Sequence, residues 1–255
     1  MGGGRPGAAW ESPAAMPRRW LAGIFAVSAV FAVLVAIFSS DSVHRLWGTM
    51  AACGYAAALV ASLAITNARA ADMALGLSFF GALFAPLTWM AAKGLEQPEV
   101  AVVARSGATL IHHGTPYATA AALAATQNPN AYNPYLPVMA LFGLPRALFD
   151  GGLITDPRVW FGAVFLVVFW LALRRGGARD SGRWAILVAA SPVIAFELAV
   201  GGTDVPMVAF LCLGFAYLYE GDRAPAQTHA VMAGLALGIA SAMKATAWQI
   251  GRAHV

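Results

Sequence analysis

Glu96 and Glu99 bracket Gln97-Pro98 at the head of a run, Pro98 to Ile111, whose apolar residues fall on one helical face. A carboxylate in a first helical turn is stabilised by the helix dipole, but the same group at a membrane surface can also serve as general base toward a hydroxyl. Asp204 stands in Gly201-Gly202-Thr203-Asp204-Val205-Pro206, the spacing of an N-cap before a helix that opens with proline. Asp156-Pro157 reads as a cap alone. Glu197 lies seven residues before Asp204, and ionisable groups in or beside apolar spans are candidates for function. Lys244, one of only two lysines, falls inside the last apolar run; its ammonium either snorkels to headgroups or holds a phosphate. His112 and His113 could meet a phosphate or a metal, yet adjacent histidines on a helix point apart and two ligands fall short of a four-ligand zinc site, so they read as surface residues and no metal is expected. Tyr117, Tyr132 and Tyr135 fit an interfacial aromatic belt equally well.

The elements that must carry these residues are set by composition. Of 255 residues, 60% are hydrophobic and 11% charged, against about 25% charged in a soluble domain. A water-coated globule is excluded, and an all-α, polytopic transmembrane bundle is predicted. Seven runs approach the ~20 residues of a spanning helix: Trp20–Phe38, Leu46–Ile65, Met73–Ala92, Val159–Leu173, Trp184–Val200, Val205–Tyr219 and Ala230–Trp248. Tyr135–Leu148 is shorter and carries Pro137 and Pro145, which predicts a re-entrant or interfacial piece. Cys53 and Cys212 fall within apolar runs and read as small hydrophobes.

The formal charge is +4, and 14 of the 16 basic residues are arginines scattered through short loops without an aromatic-basic stripe. The excess is therefore topogenic, and no nucleic-acid partner is expected. Counting arginines places the tail (Arg5, Arg18, Arg19), Arg69, the Arg174–Arg183 loop and Arg223 in the cytoplasm. The stretch Lys93 to Arg158 then lies outside. It is far longer than an ordinary connection, and long connections are usually functional. Within it the pattern predicts interfacial helices at Pro98–Ile111 and Ala118–Thr126, followed by the turn-rich Asn128–Pro137. Residues 1–19 read as a disordered cytoplasmic tail and 20–249 as the membrane domain. Residues 250–255 read like a translated sequencing-adapter end, so the natural chain is expected to continue differently after Gln249 and this fragment to be incomplete.

The order of Pro98-Glu99, Arg105, Gly114-Thr115-Pro116-Tyr117, Asn133-Pro134-Tyr135-Leu136-Pro137, Leu141-Phe142-Gly143-Leu144-Pro145 and Gly234-Leu235-Ala236-Leu237-Gly238 through Lys244 resembles glycosyltransferase family 87, the α-mannosyltransferase-like membrane enzymes of the GT-C class, over roughly Glu96 to Lys244. The resemblance implies a multi-pass cell-membrane enzyme with an extracytoplasmic site and no cofactor. It would transfer a sugar, mannose in particular, from a polyprenyl-phosphate donor to a hydroxyl of a glycan or glycolipid. The family's external acidic base falls on Glu99. Because family members commonly place an Asp soon after the first span, Asp41 competes for that role. Arg105 and Lys244 are the cations available to the phosphate, with His113, Tyr117, Tyr132, Asn133, Tyr135 and Asp204 as further substrate-binding candidates. No G-x-G-x-x-G or P-loop is present, which suits a lipid-linked donor. Two other classes remain open: a secondary transporter using Glu197, Asp204 and Lys244, and a non-catalytic membrane scaffold.

Overall fold

The apolar runs become helices, and among the described residues there is no strand. The computed structural model describes residues 12–65, 69–126, 128–149, 151–220 and 226–248. Arg5, Arg223 and the adapter-like 250–255 lie outside them. The end of the predicted tail is ordered: Ser12 Oγ accepts from Ala14 N at 3.1 Å and opens a 3-10 turn at Pro13–Ala15.

Helix α1 is Arg18–Phe38, α2 is Ser42–Ala64 and α3 is Ala70–Lys93. The Asp41 carboxylate starts α2 by accepting from Val43 N at 2.7 Å. At its other end Arg18 donates to the carbonyls of Ser62, Leu63 and Ile65 at 2.7–3.1 Å, supplying donors to main-chain oxygens at the helix terminus. This contact also makes α1 and α2 antiparallel. A π-turn interrupts α3 at Phe80–Phe84, where the buried Trp47 indole donates to the Ala82 carbonyl at 2.9 Å. Gly94, at φ 64°, ends α3 in the left-handed conformation.

The long connection folds as predicted in outline. Helix α4 is Pro98–His113 and α5 is Ala120–Thr126; a 3-10 stretch at Pro137–Gly143 leads into the short α6, Leu144–Leu148. Helix α4 packs directly on the 3-10 stretch. A Cβ added at Gly143 would stand 2.1 Å from the Val103 carbonyl oxygen, so only glycine permits this approach.

Helix α7 is Pro157–Arg175. The predicted span Trp184–Val200 is two helices, α8 (Ser181–Ala189) and α9 (Pro192–Val200), bent by 65°. Pro192 has no N–H for the Val188 carbonyl, which accepts instead from Ser191 N at 3.0 Å and Ser191 Oγ at 2.6 Å. Tyr55 Oη, from α2, donates to the Ala190 carbonyl at 2.6 Å, so the break leaves these buried oxygens bonded. Helices α10 (Val205–Glu220) and α11 (Ala226–Ser241) have 16 residues each. The last helix therefore stops short of the predicted Trp248, and Lys244 lies beyond its end rather than inside a span.

Among the described residues four helices are long and apolar enough to cross a membrane (α1, α2, α3 and α7), or five if the bent pair counts as one. Of the seven predicted spans, proline breaks one, and the described parts of two others, α10 and α11, are shorter than a full span. Val27, Val30, Leu34 and Ile37 on α1 and Phe80 and Phe84 on α3 are exposed, which is consistent with a membrane protein. The alternating helices collect Arg18, Asp72 and Arg183 at one end, where Arg183 Nε donates to Asp72 Oδ1 at 2.7 Å. The α2 start, the α3–α4 turn, the α9–α10 turn and the segment after α11 gather at the other.

Candidate functional site

At that second end lies a cleft of about 490 Å³, whose lining includes Gln97, Glu99, Tyr135, Glu197, Thr203, Asp204 and Lys244. Five separate chain segments contribute. Glu99 comes from the first turn of α4, directly after Pro98. Glu197 is on the last turn and a half of α9, and Thr203 and Asp204 lie on the short turn into α10. Gln97 N donates to the Val200 carbonyl at 3.0 Å, which ties the α4 entry to the end of α9.

Lys244 Nζ donates to Asp204 Oδ1 at 2.8 Å and sits 5.2 Å from the centre of the Tyr135 ring, a salt bridge and a cation–π contact on one ammonium. Asp204 thus spends its carboxylate on Lys244. Tyr135 is buried, and its phenol is pushed above the usual range, chiefly by that burial; Thr203 Oγ1, which donates to Tyr135 Oη at 3.4 Å, pulls the other way, and the Glu99 and Asp204 charges add to the rise. It stays a neutral hydroxyl at physiological pH. Glu197 lines the same cleft as Asp204, Lys244 and Glu99. Since Asp204 and Lys244 offset each other, Glu99 and Glu197 are the acids left to face the cleft. Two acidic side chains with a phenol and a backbone-rich turn can take a proton from a hydroxyl and hydrogen-bond a polyol.

The other predicted residues lie around this cleft or away from it. Tyr117 Oη donates to the Tyr135 carbonyl at 3.1 Å; Asn133 Nδ2 donates to the Pro116 carbonyl at 3.1 Å, and its Oδ1 accepts from Tyr135 N at 3.0 Å. Both side chains therefore hold the Tyr135 main chain rather than line the cleft. Arg105 donates to the Asn130 carbonyl, fastening α4 to the Pro129–Ala131 turn, and it is not among the cleft's lining residues. His113 is exposed at the far end of α4, about 20 Å from Glu99 at 1.5 Å per residue. Tyr132 is exposed and is not among the cleft's lining residues. Asp41 caps α2 and stands 3.9 Å from His44 Nε2; His44 in turn meets the Gln97 amide, so Asp41 reaches the cleft only through two intermediaries.

Sequence reasoning passed over Gln97, His44 and a buried ionic network. Asp156, read as a cap alone, does cap α7 by accepting from Arg158 N at 2.9 Å, but it also binds Arg158 and Arg146. The signal was available, since an arginine at the opening of an apolar run is costly unless paired.

A second, apolar cavity of about 740 Å³ lies beside the cleft, lined by residues including Leu141, Leu148, Trp160, Phe210, Ile239 and Met243. The two share a wall. Leu136 N donates to the Met243 carbonyl at 3.0 Å and Val138 N to the Ala242 carbonyl at 3.1 Å, with Tyr135 and Lys244 facing the cleft and Val138 and Met243 facing the apolar cavity. Among the described residues no group of three or more His, Cys, Asp or Glu could hold a metal ion. Compared with known proteins, the chain matches no family model, no curated protein and no solved structure.

Proposed function

We propose that this chain is a membrane glycosyltransferase that moves a sugar, mannose being the favoured candidate, from a polyprenyl-phosphate donor to a hydroxyl of a glycan or glycolipid on the extracytoplasmic side. One observation carries the reading: a carboxylate-bearing polar cleft and an apolar cavity of about 740 Å³ stand on either side of one wall. A substrate with a polar head and a hydrocarbon tail needs that pairing. The tail occupies the apolar cavity, and the sugar and phosphate enter the cleft from the side.

In the reaction Glu99 takes the acceptor hydroxyl proton. The acceptor oxygen forms its bond to the anomeric carbon as the bond from that carbon to the phosphate oxygen breaks, and polyprenyl phosphate leaves with the electron pair. Lys244, the one Lys or Arg on the cleft lining among the described residues, exchanges Asp204 for the phosphate. Tyr135 and Thr203 hydrogen-bond the sugar. The test is transfer from radiolabelled polyprenyl-phosphate mannose in membranes carrying the full-length protein. Glu99→Gln is expected to lower the rate by about 10²–10⁴-fold, the usual worth of a general base. Undiminished transfer by Glu99→Gln removes Glu99 as base, and no transfer by the wild type overturns the reading.

The bent α8–α9 pair and the Glu197–Asp204–Lys244 grouping favour a second reading, a secondary transporter with a broken helix at its site. Solute uptake into proteoliposomes that Asp204→Asn abolishes would select it.

A further inference from the structure

Arg158 is 0% exposed, and so is Asp156. The two form a bidentate pair, with Arg158 Nε 3.0 Å from Asp156 Oδ1 and Nη2 2.9 Å from Oδ2. The remaining nitrogen is used differently. Arg158 Nη1 donates to the Leu95 carbonyl and to the Ala199 carbonyl, each at 2.8 Å. Leu95 stands two residues before Gln97, and Ala199 two before Gly201; Gln97 and Gly201 both line the cleft. One guanidinium therefore joins the segment that leads to Glu99, the segment that leads from Glu197 to Asp204, and the start of α7. Arg146 extends the assembly, donating to Asp156 Oδ2 at 3.0 Å and to Glu96 Oε2 at 3.2 Å. It sits on α6, between Leu144, Pro145 and Leu148 of the apolar cavity.

A buried ion pair is a poor means of stabilisation, because desolvation cancels much of the Coulomb gain and apolar side chains of similar volume often serve as well. What an apolar pair cannot do is bond two main-chain oxygens at fixed separation. Lysine, whose three donors share one nitrogen, cannot grip both Asp156 oxygens along one edge and the two carbonyls from the other.

We propose that Arg158, oriented by Asp156, is a positioning residue that sets the spacing between the Glu99 segment and the Glu197–Asp204 segment. It acts through the Leu95 and Ala199 carbonyls and touches no substrate. The inference rests on the cleft being the working site, and its test has a readout that does not depend on transfer activity. In the full chain with Cys53 and Cys212 replaced by alanine, a reporter Thr203→Cys, buried in the cleft wall, is labelled with a maleimide in membranes. Ser62→Cys, equally buried at the opposite end, is the reference.

Arg158→Lys is expected to accelerate labelling at 203 by about ten-fold through local opening, with 62 unchanged. The double variant Asp156→Leu/Arg158→Met, which exchanges the pair for apolar side chains, is expected to do the same and serves where Arg158→Lys fails to reach the membrane. In the transfer assay the same variants should lower kcat while the donor KM stays within about two-fold. Unchanged labelling at 203, or equal acceleration at 203 and 62, overturns the proposal. A wild type that transfers no sugar overturns the transferase reading and leaves the labelling result to decide Arg158.

Discussion

The polar side chains of the cleft differ in whether a neighbour limits what they can do. Lys244 is already shared between the Asp204 carboxylate and the Tyr135 ring, so a phosphate would have to displace Asp204, whereas among the described residues Glu99 and Glu197 have no such cationic partner at salt-bridge distance. That contrast, rather than the presence of acids as such, is why Glu99 and not Asp204 is proposed as the base. Tyr135 gives a pH test. Burial raises its phenol above the usual value, so the folded state holds the proton more tightly than the unfolded chain. Stability from this source is complete below about pH 10, the unfolded phenol's pKa, and is lost as pH climbs through the higher folded value. Thermal unfolding in detergent between about pH 9 and 11 should therefore decline less steeply for Tyr135→Phe than for the wild type; parallel curves would show that the phenol does not couple to folding. Glu99, Asp204, Tyr135 and Lys244 were each visible in the sequence as suspects. Their convergence was not, since nothing local says that positions 99, 135, 204 and 244 meet.

Among the elements, close backbone contact decides where α4 sits. Because the Cβ of an alanine at 143 would stand 2.1 Å from the Val103 carbonyl oxygen, Gly143→Ala must push α4 off the 3-10 stretch. A loss of about 1–3 kcal/mol is expected, as for other over-packed contacts, measured as a lowered midpoint of detergent unfolding; an unchanged midpoint would show that the stretch yields freely. The helix itself was legible, since Pro98 at the first position and Gly114 after the last frame it. The interruption at Ser191-Pro192 was also written in the sequence, but a continuous apolar run obscured it. Periodicity measures burial, and both halves are apolar; only the missing N–H of Pro192 distinguishes a bent pair from one span. The shortness of α11 had a similar cause, as hydrophobicity continues past Ser241 while the helix does not.

For the whole molecule the arginine count and the fold agree on which ends go together: Arg18 and Arg183 lie at one end of the bundle and the cleft at the other. Placing the cleft outside the cell is a statement about insertion, and it can be measured. In cysteine-free protein in intact cells, a membrane-impermeant maleimide should label Ser40→Cys, near the α1–α2 turn, and spare Ala178→Cys, in the α7–α8 turn, until the membrane is permeabilised; the reverse pattern would invert the orientation. Composition made the helical membrane class legible because it requires no knowledge of contacts. The site required contacts between segments far apart in the chain, and these emerge only when the helices pack. One such contact, the Leu136–Val138 main chain against Ala242–Met243, partitions the end of the bundle. Because Met243 and Lys244 are neighbours that open to opposite cavities, evolution can alter either cavity by substitution while leaving the other intact. A single-residue insertion or deletion in the partition has no such freedom: it would break the pairing of the Leu136 and Val138 N–H groups with the Met243 and Ala242 carbonyls that closes the wall, so relatives should vary here in residue type but not in length.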